Sequence, residues 1–278
     1  MNEGDYIDDK DGLLHCGKCG EAKQFEVKMP RKFDEDGNPI GEEPEKLLMY
    51  ASCACEQAVI ERERAEEQKR KDMERIVELK KLSLLDKRYE KATFDNFISN
   101  TYNEKNLKLC RRFAEHFDEM KSKNQGLLMW GNVGTGKSYA AACIVNYLLN
   151  TQTPCIMTSI VRILQLIQNN VPEENNIISR LSRVPLVVFD DFGTERNTDY
   201  ALEKIYNILD SRYRSGLPMI VTTNLTFKEM QNETDIRYSR LYDRIFECCY
   251  PMQFTGDSFR KKAAYDKFNA MEKFLNGE

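Results

Sequence analysis

"LLMWGNVGTGKSYAA", Leu127 to Ala141, fits the pattern G-x-x-x-x-G-K-[ST], with Gly131, Gly136, Lys137 and Ser138 in the fixed places. Glycines let a backbone turn tightly and aim successive N–H groups at an anion. The expected cradle is Gly131, Asn132, Val133, Gly134, Thr135, Gly136, Lys137, Ser138 and Tyr139. Lys137 is placed to reach the β- and γ-phosphates, and the Ser138 hydroxyl to ligate Mg²⁺. The context agrees. Leu127–Trp130 is an apolar run suited to a buried strand, and Ser138–Asn150 reads as a helix whose N-terminus faces the phosphates. A kinase, a GTPase switch, a transporter or a DNA-loading motor can carry such a loop, so the rest of the chain must decide among them.

Downstream of Gly126, apolar runs alternate with helical patterns. Strands are expected at Leu127–Trp130, Cys155–Thr158, Leu186–Phe189, Met219–Thr222 and Tyr250–Phe254, and helices at 160–169, 199–214, 236–247 and 257–275. That alternation predicts an α/β fold with a parallel five-stranded sheet covered on both faces. "PLVVFDDFGTER" (185–196) is an apolar strand ending in Asp190 and Asp191. Such an acid at a strand tip holds Mg²⁺ in phosphate-loop ATPases, and Asp190 takes that role here. Asp191 then orients or deprotonates the attacking water. A shorter Asp in place of Glu points to slow hydrolysis. "PMIVTTNL" (218–225) brings Asn224 beside Asp190, in reach of the γ-phosphate or the lytic water.

Upstream the composition changes. The 278 residues carry a net charge of -4, but residues 1–50 hold 13 acids against 7 bases. Phosphate attraction needs Lys and Arg, so this acidic head suits a protein partner better than DNA. Cys16, Cys19, Cys53 and Cys55 form C-x₂-C and C-x-C pairs separated by 33 residues. Four thiolates in two close pairs suit tetrahedral Zn²⁺. His15 abuts Cys16 and reads as a bystander, and Cys110, Cys143, Cys155, Cys248 and Cys249 read as small buried thiols. Residues 34–39, "DEDGNP", carry turn signals. Residues 56–91 hold 10 acids and 11 bases without Gly or Pro, and predict a solvated charged helix. The expected organisation is a zinc-binding module (1–55), a charged helical linker (56–91) and an ATPase core (92–278). No run approaches the ~20 apolar residues of a membrane span. The acidic N-terminus lacks the apolar segment of a secretory signal, so a cytoplasmic location is expected.

The order GNVGTGKS, VVFDD, TTN and then "RYSRLYDRI" (237–245) resembles AAA+ ATPases, in particular the DnaC-like helicase loaders and the IstB-like transposition helpers. The resemblance covers about residues 92–262. "TFDNF" (93–97) is similar to a segment that packs near the adenine in that group. The Arg-rich stretch resembles the one that supplies an arginine finger, which makes Arg240 the first choice and Arg244 the reserve. Arg237, Arg240 and Arg244 share one helix face. The resemblance implies an ATPase using ATP and Mg²⁺, a self-assembly formed on nucleotide or DNA, and two partners, a replicative hexameric helicase and single-stranded DNA. It implies the loading of that helicase for a phage or mobile element. A transposition helper is the nearest alternative. A small-molecule kinase is disfavoured by the placing of Asp190, Asp191 and Asn224, and a non-catalytic ATP-gated binding module stays open.

Overall fold

The computed structural model describes residues 4–28, 32–33, 39–40, 46–98, 102–169, 174–194 and 198–276. The turn expected at 34–39 lies almost wholly outside them. The chain divides into two compact units, residues 1–73 and 74–278.

The first unit is built from two-stranded antiparallel ribbons. β1 (Tyr6–Ile7) pairs with β2 (Leu14–His15), and β3 (Gln24–Lys28) with β6 (Lys46–Tyr50). β4 (Lys32–Phe33) pairs with β5 (Pro39–Ile40). Among the described residues its buried apolar positions are Leu14, Cys16 and Cys53. Units this small draw on polar and thiol contacts as well. Lys23 is buried between two carboxylates, at 2.8 Å from Asp5 and 2.5 Å from Glu56.

Helix α1 (Ala54–Leu82) is laced by exposed pairs such as Arg62–Glu66 and Arg70–Glu67. The sequence reading carries this helix on to residue 91, but it stops at Leu82. Ser83 Oγ turns back to donate to Lys80 O at 2.7 Å, and Leu84 adopts φ 58°, which no right-handed helix accommodates. Residues 87–89 form only a 3₁₀ turn, capped by Asp86.

In the second unit, five parallel strands form one sheet in the order β11-β7-β10-β9-β8, where β7 is Gly126–Gly131, β8 Cys155–Ser159, β9 Leu186–Phe192, β10 Met219–Thr223 and β11 Cys249–Phe254. Successive side chains of a strand point to opposite faces, and the two cores follow that rule. Leu127, Met129, Leu186, Val188 and Ile220 pack on one face against α4 (Lys137–Asn150) and α2 (Glu104–Glu115). Leu128, Val187, Phe189, Met219 and Val221 pack on the other face against α5 (Ile160–Asn169), α7 (Asp199–Arg214) and α9 (Ile236–Cys248). The strands and helices expected from Leu127 onward all form, and the five cysteines read as buried thiols are all buried. The remaining helices are α3 (Phe117–Ser122), α6 (Glu174–Arg183), α8 (Phe227–Gln231) and α10 (Phe259–Asn276).

Arg212 of α7 is fully buried, with no carboxylate beside it among the described residues. It donates to four carbonyls, of Leu181, Val184, Pro185 and Pro218, and so clamps the entrances to β9 and β10. Burial pulls its guanidinium down to about 10.

Candidate nucleotide site and thiol cluster

A parallel sheet opens a crevice beyond the carboxyl ends of its strands where the strand order reverses. Here that point lies beyond β7, and the loop 131–136 fills it. Gly131 and Gly136 sit at φ 124° and 99°, a region closed to other L-residues without strain. A Cβ on Gly131 would also run into the carbonyl oxygen of Phe254 on β11. The loop feeds directly into α4, so free N–H groups and the helix dipole face the same cleft. That cleft is lined by Val133, Gly134, Gly136, Lys137, Ser138 and Tyr139 from the loop and α4, and by Asp191, Asn224, Phe259 and Arg260.

Lys137 is buried, and its ammonium uses three acceptors: Gly131 O and Asn132 O at 2.7 Å each, and Asn224 Oδ1 at 2.9 Å. Burial pulls its pKa down to about 8. Arg260 adds to that, while Asp191 and Asp190 oppose it. Thr135 Oγ1 closes the loop on Asn132 O at 2.9 Å.

The two acids lie inside β9 rather than just beyond it. Val221 pairs with Phe189 and Thr223 with Phe192, so Asp190 and Asp191 together oppose the single residue Thr222. This is a β-bulge, a device that re-aims side chains. Asp191 takes the left-handed conformation, φ 52°. Thr222 Oγ1 donates to Asp190 Oδ1 at 2.6 Å and accepts from the Asp191 N–H at 2.9 Å. Burial raises the Asp190 carboxyl, against the hydrogen bonds from Thr222 and Ser138. A buried carboxylate and a hydroxyl, both hard oxygen donors, form a set that suits Mg²⁺. Thr222 was missed by the sequence reading; its one signal was a pair of threonines at the exit of an apolar strand.

The opposite wall comes from the segment that precedes the sheet. Tyr89, Asn96, Phe97 and Ile98 line the cleft. Asn96 shapes its own turn, accepting from Thr93 N at 2.8 Å and donating to Lys91 O at 2.6 Å, and Tyr139 OH donates to its Oδ1 at 2.7 Å. The cleft therefore has one side of loop and acidic groups and a facing side that bears Tyr89 and Phe97.

The arginines of α9 do not line this cleft. Arg237 pairs with Asp235 and Asp199, both at 2.7 Å. Arg244 pairs with Asp210 at 2.8 Å, donates to Tyr206 OH at 2.8 Å and lies over the Tyr206 ring. The Arg240 side chain is exposed and has no hydrogen-bond or ionic partner among the described residues.

In the first unit, the sulfurs of Cys16, Cys19, Cys53 and Cys55 all lie within 4.8 Å of one another, and none is in a disulfide. Four thiolates around a tetrahedral Zn²⁺ with bonds of about 2.3 Å stand roughly 3.8 Å apart, so the cluster fits that ion. Backbone N–H groups of Cys19 and Lys18 pull the Cys16 thiol down to about 6, toward the thiolate a metal needs. His15 is excluded from the set. Its Nδ1 bonds Gly20 O and its Nε2 bonds Asp11 Oδ2, both at 2.9 Å.

The family model described as IstB-like ATP binding protein matches residues 50–266. The replicative helicase loader DnaC of Buchnera aphidicola subsp. Schizaphis graminum is 27% identical over 190 residues, 65% of this chain and 74% of its own length. DnaC of Escherichia coli K12 is 27% identical over 162 residues, 56% of this chain and 64% of its own. Among solved structures, a crystal structure of DnaI superimposes with a TM-score of 0.53 at 22% identity, covering 63% of this chain and 93% of that one. That likeness shows a shared fold.

Proposed function

The chain belongs to the family of IstB-like ATP-binding proteins, and from that premise we propose that it is an ATPase that loads a replicative helicase onto DNA, in the setting of a phage or mobile element. The observation that carries the reading is the convergence on one cleft of Lys137, Ser138 and Asp191, with Asn224 bonded to Lys137 and Asp190 joined to Asp191 through Thr222. The relatives named as helicase loaders support the loading role. In this reading Gly131 to Tyr139 and Asp190 hold Mg²⁺-ATP. Ser138 and Asp190 hold the metal, which screens the phosphate charge. Asp191 and Asn224 act on the attacking water. Arg240 completes the site of a neighbouring copy, with Arg244 in reserve. A thiol cluster holding zinc builds the first module (1–55), the charged segment 56–91 links it to the core (92–278), and the acidic module meets the helicase in the cytoplasm.

The test is loading itself. The chain, Mg²⁺-ATP and a hexameric replicative helicase are mixed with circular single-stranded DNA coated with its binding protein, and helicase retained on the circles is counted. Retention that requires this chain, together with ATP turnover stimulated by single-stranded DNA, supports the reading. Turnover without any gain in retention refutes loading and favours the transposition helper. ATP binding without turnover refutes the ATPase and leaves an ATP-gated binding module.

A further inference from the structure

Helix α4 is apolar along nearly its whole length past the phosphate loop, yet it carries Asn146, which is 4% exposed. A buried amide in such a place must bond or be a liability. Asn146 Nδ2 donates to two carbonyls, Tyr89 O at 2.8 Å and Ala92 O at 2.9 Å. Two acceptors facing one amide require its NH₂ end, so the orientation is settled by its surroundings. The amide oxygen is buried without a partner among the described residues. A hydrophobic residue there would remove that orphan but withdraw the donor from both carbonyls, so packing alone does not account for the Asn.

What Asn146 holds is the wall of the nucleotide cleft. Tyr89 lines the cleft, and Ala92 leads within a few residues to Asn96, Phe97 and Ile98, which also line it. Asn146 is nine residues along α4 from Lys137, roughly 13.5 Å at 1.5 Å per residue, too far to touch a phosphate. Tyr139, two turns nearer the loop, ties the same segment by its bond to Asn96. Helix α4 therefore bears the phosphate loop at one end and, through Tyr139 and Asn146, the aromatic wall along its side.

We propose that Asn146 is a positioning residue for nucleotide binding: it docks the 89–98 segment on α4 and so sets the distance between the aromatic wall and the phosphate loop. The proposal rests on the reading of this cleft as an ATP site. Removing Asn146 acts on the part of the ligand that meets the wall, the base and ribose, and leaves the phosphate grip intact.

The experiment compares Mg²⁺-ATP with inorganic triphosphate, both measured on the full chain by calorimetry and by competition against a fluorescent ATP analogue. Asn146→Leu is expected to weaken ATP on the order of tenfold, as for loss of one to two buried hydrogen bonds, while triphosphate changes less than twofold. Asn146→Ala removes the donors without adding bulk and preserves the helix, so it serves should the leucine variant fail to fold. Equal losses for both ligands overturn the proposal, because Asn146 then only supports the helix. Unchanged ATP affinity also overturns it. Wild-type protein that binds neither ligand overturns the ATP reading itself, an outcome visible before any variant is made.

Discussion

Lys137 Nζ lies 2.9 Å from Asn224 Oδ1, which bridges the phosphate loop to the exit of β10, the strand beside β7. With Gly131 O and Asn132 O also accepting, all three ammonium protons are used inside the protein. An incoming phosphate must take at least one of them, and Asn224 is the partner that is free to rotate away. Asn224→Ala should therefore keep ATP binding and lower turnover by about tenfold or more, whereas Lys137→Ala should abolish detectable binding by calorimetry with the fold intact. Equal ATP affinity in wild type and Lys137→Ala would remove the lysine from the site.

The depressed Lys137 pKa, about 8, makes the same contact measurable by pH. Phosphate favours the charged amine, so ATP binding near pH 8.5 should draw in a proton, and affinity should fall as pH rises past about 8. Calorimetry in two buffers of different ionisation heat reads the uptake directly; identical enthalpies in both, or an uptake that survives in Lys137→Met, would rule this out. The stability sign runs the other way. Between about 8 and the ordinary lysine value of 10.5 the unfolded chain binds more protons than the folded one, so this group's penalty is present below pH 8 and relieved as pH rises through that window.

Thr222 joins Asp190 and Asp191 through one hydroxyl. Thr222→Val keeps the shape and removes that hydroxyl, and should weaken Mg²⁺ dependence and turnover by about 10–100-fold, in line with losses of outer-shell partners at metal sites. Asp191→Asn should retain ATP binding and lose turnover. Asn tolerates the left-handed backbone at this position, so the change is chemical rather than conformational. Turnover within twofold of wild type in either variant argues against these roles.

One zinc per chain is expected by metal analysis of protein purified under reducing conditions. Cys16→Ser or Cys53→Ser should lose it, while His15→Ala should not, since both ring nitrogens are engaged elsewhere. Because metal thiolates can supply much of a small domain's folding energy, chelation should expose residues 4–28 and 46–55 to rapid amide exchange and leave ATP binding unchanged. Full occupancy in Cys53→Ser would discard the four-thiol site.

The α9 arginines should separate into a structural and a functional class. Arg244 is wedged between Asp210 and Tyr206, so Arg244→Ala should cost about 1–3 kcal/mol of stability. Arg240, exposed and unpaired among the described residues, should cost nearly nothing, yet Arg240→Ala should lower turnover by about 10³-fold if it reaches a neighbour's phosphates. Mixing Lys137→Ala with Arg240→Ala should restore part of the activity. If confirmed mixed assemblies stay inactive, Arg240 does not act in trans.

Local pattern determined much of this protein. The glycine loop between an apolar run and a helix, the alternation of five apolar strands with helices, and two close cysteine pairs are properties of short windows, and short windows decide periodicity, turn chemistry and thiol spacing. The four sulfurs do meet, and the five strands do form one parallel sheet. Other features depended on which segments met. The end of α1 at Leu82 is decided by Ser83 and Leu84, and Ser83 O accepts from Met157 N on β8, a contact 74 residues away in the chain. Thr222 became part of the acidic pair only because a bulge in β9 set two residues against one on β10. Asn146 and Arg212 looked like ordinary helix residues until folding placed them beside the carbonyls of distant loops. A buried polar group takes its meaning from the partner it finds, and that partner is chosen by the tertiary fold rather than by neighbours in sequence.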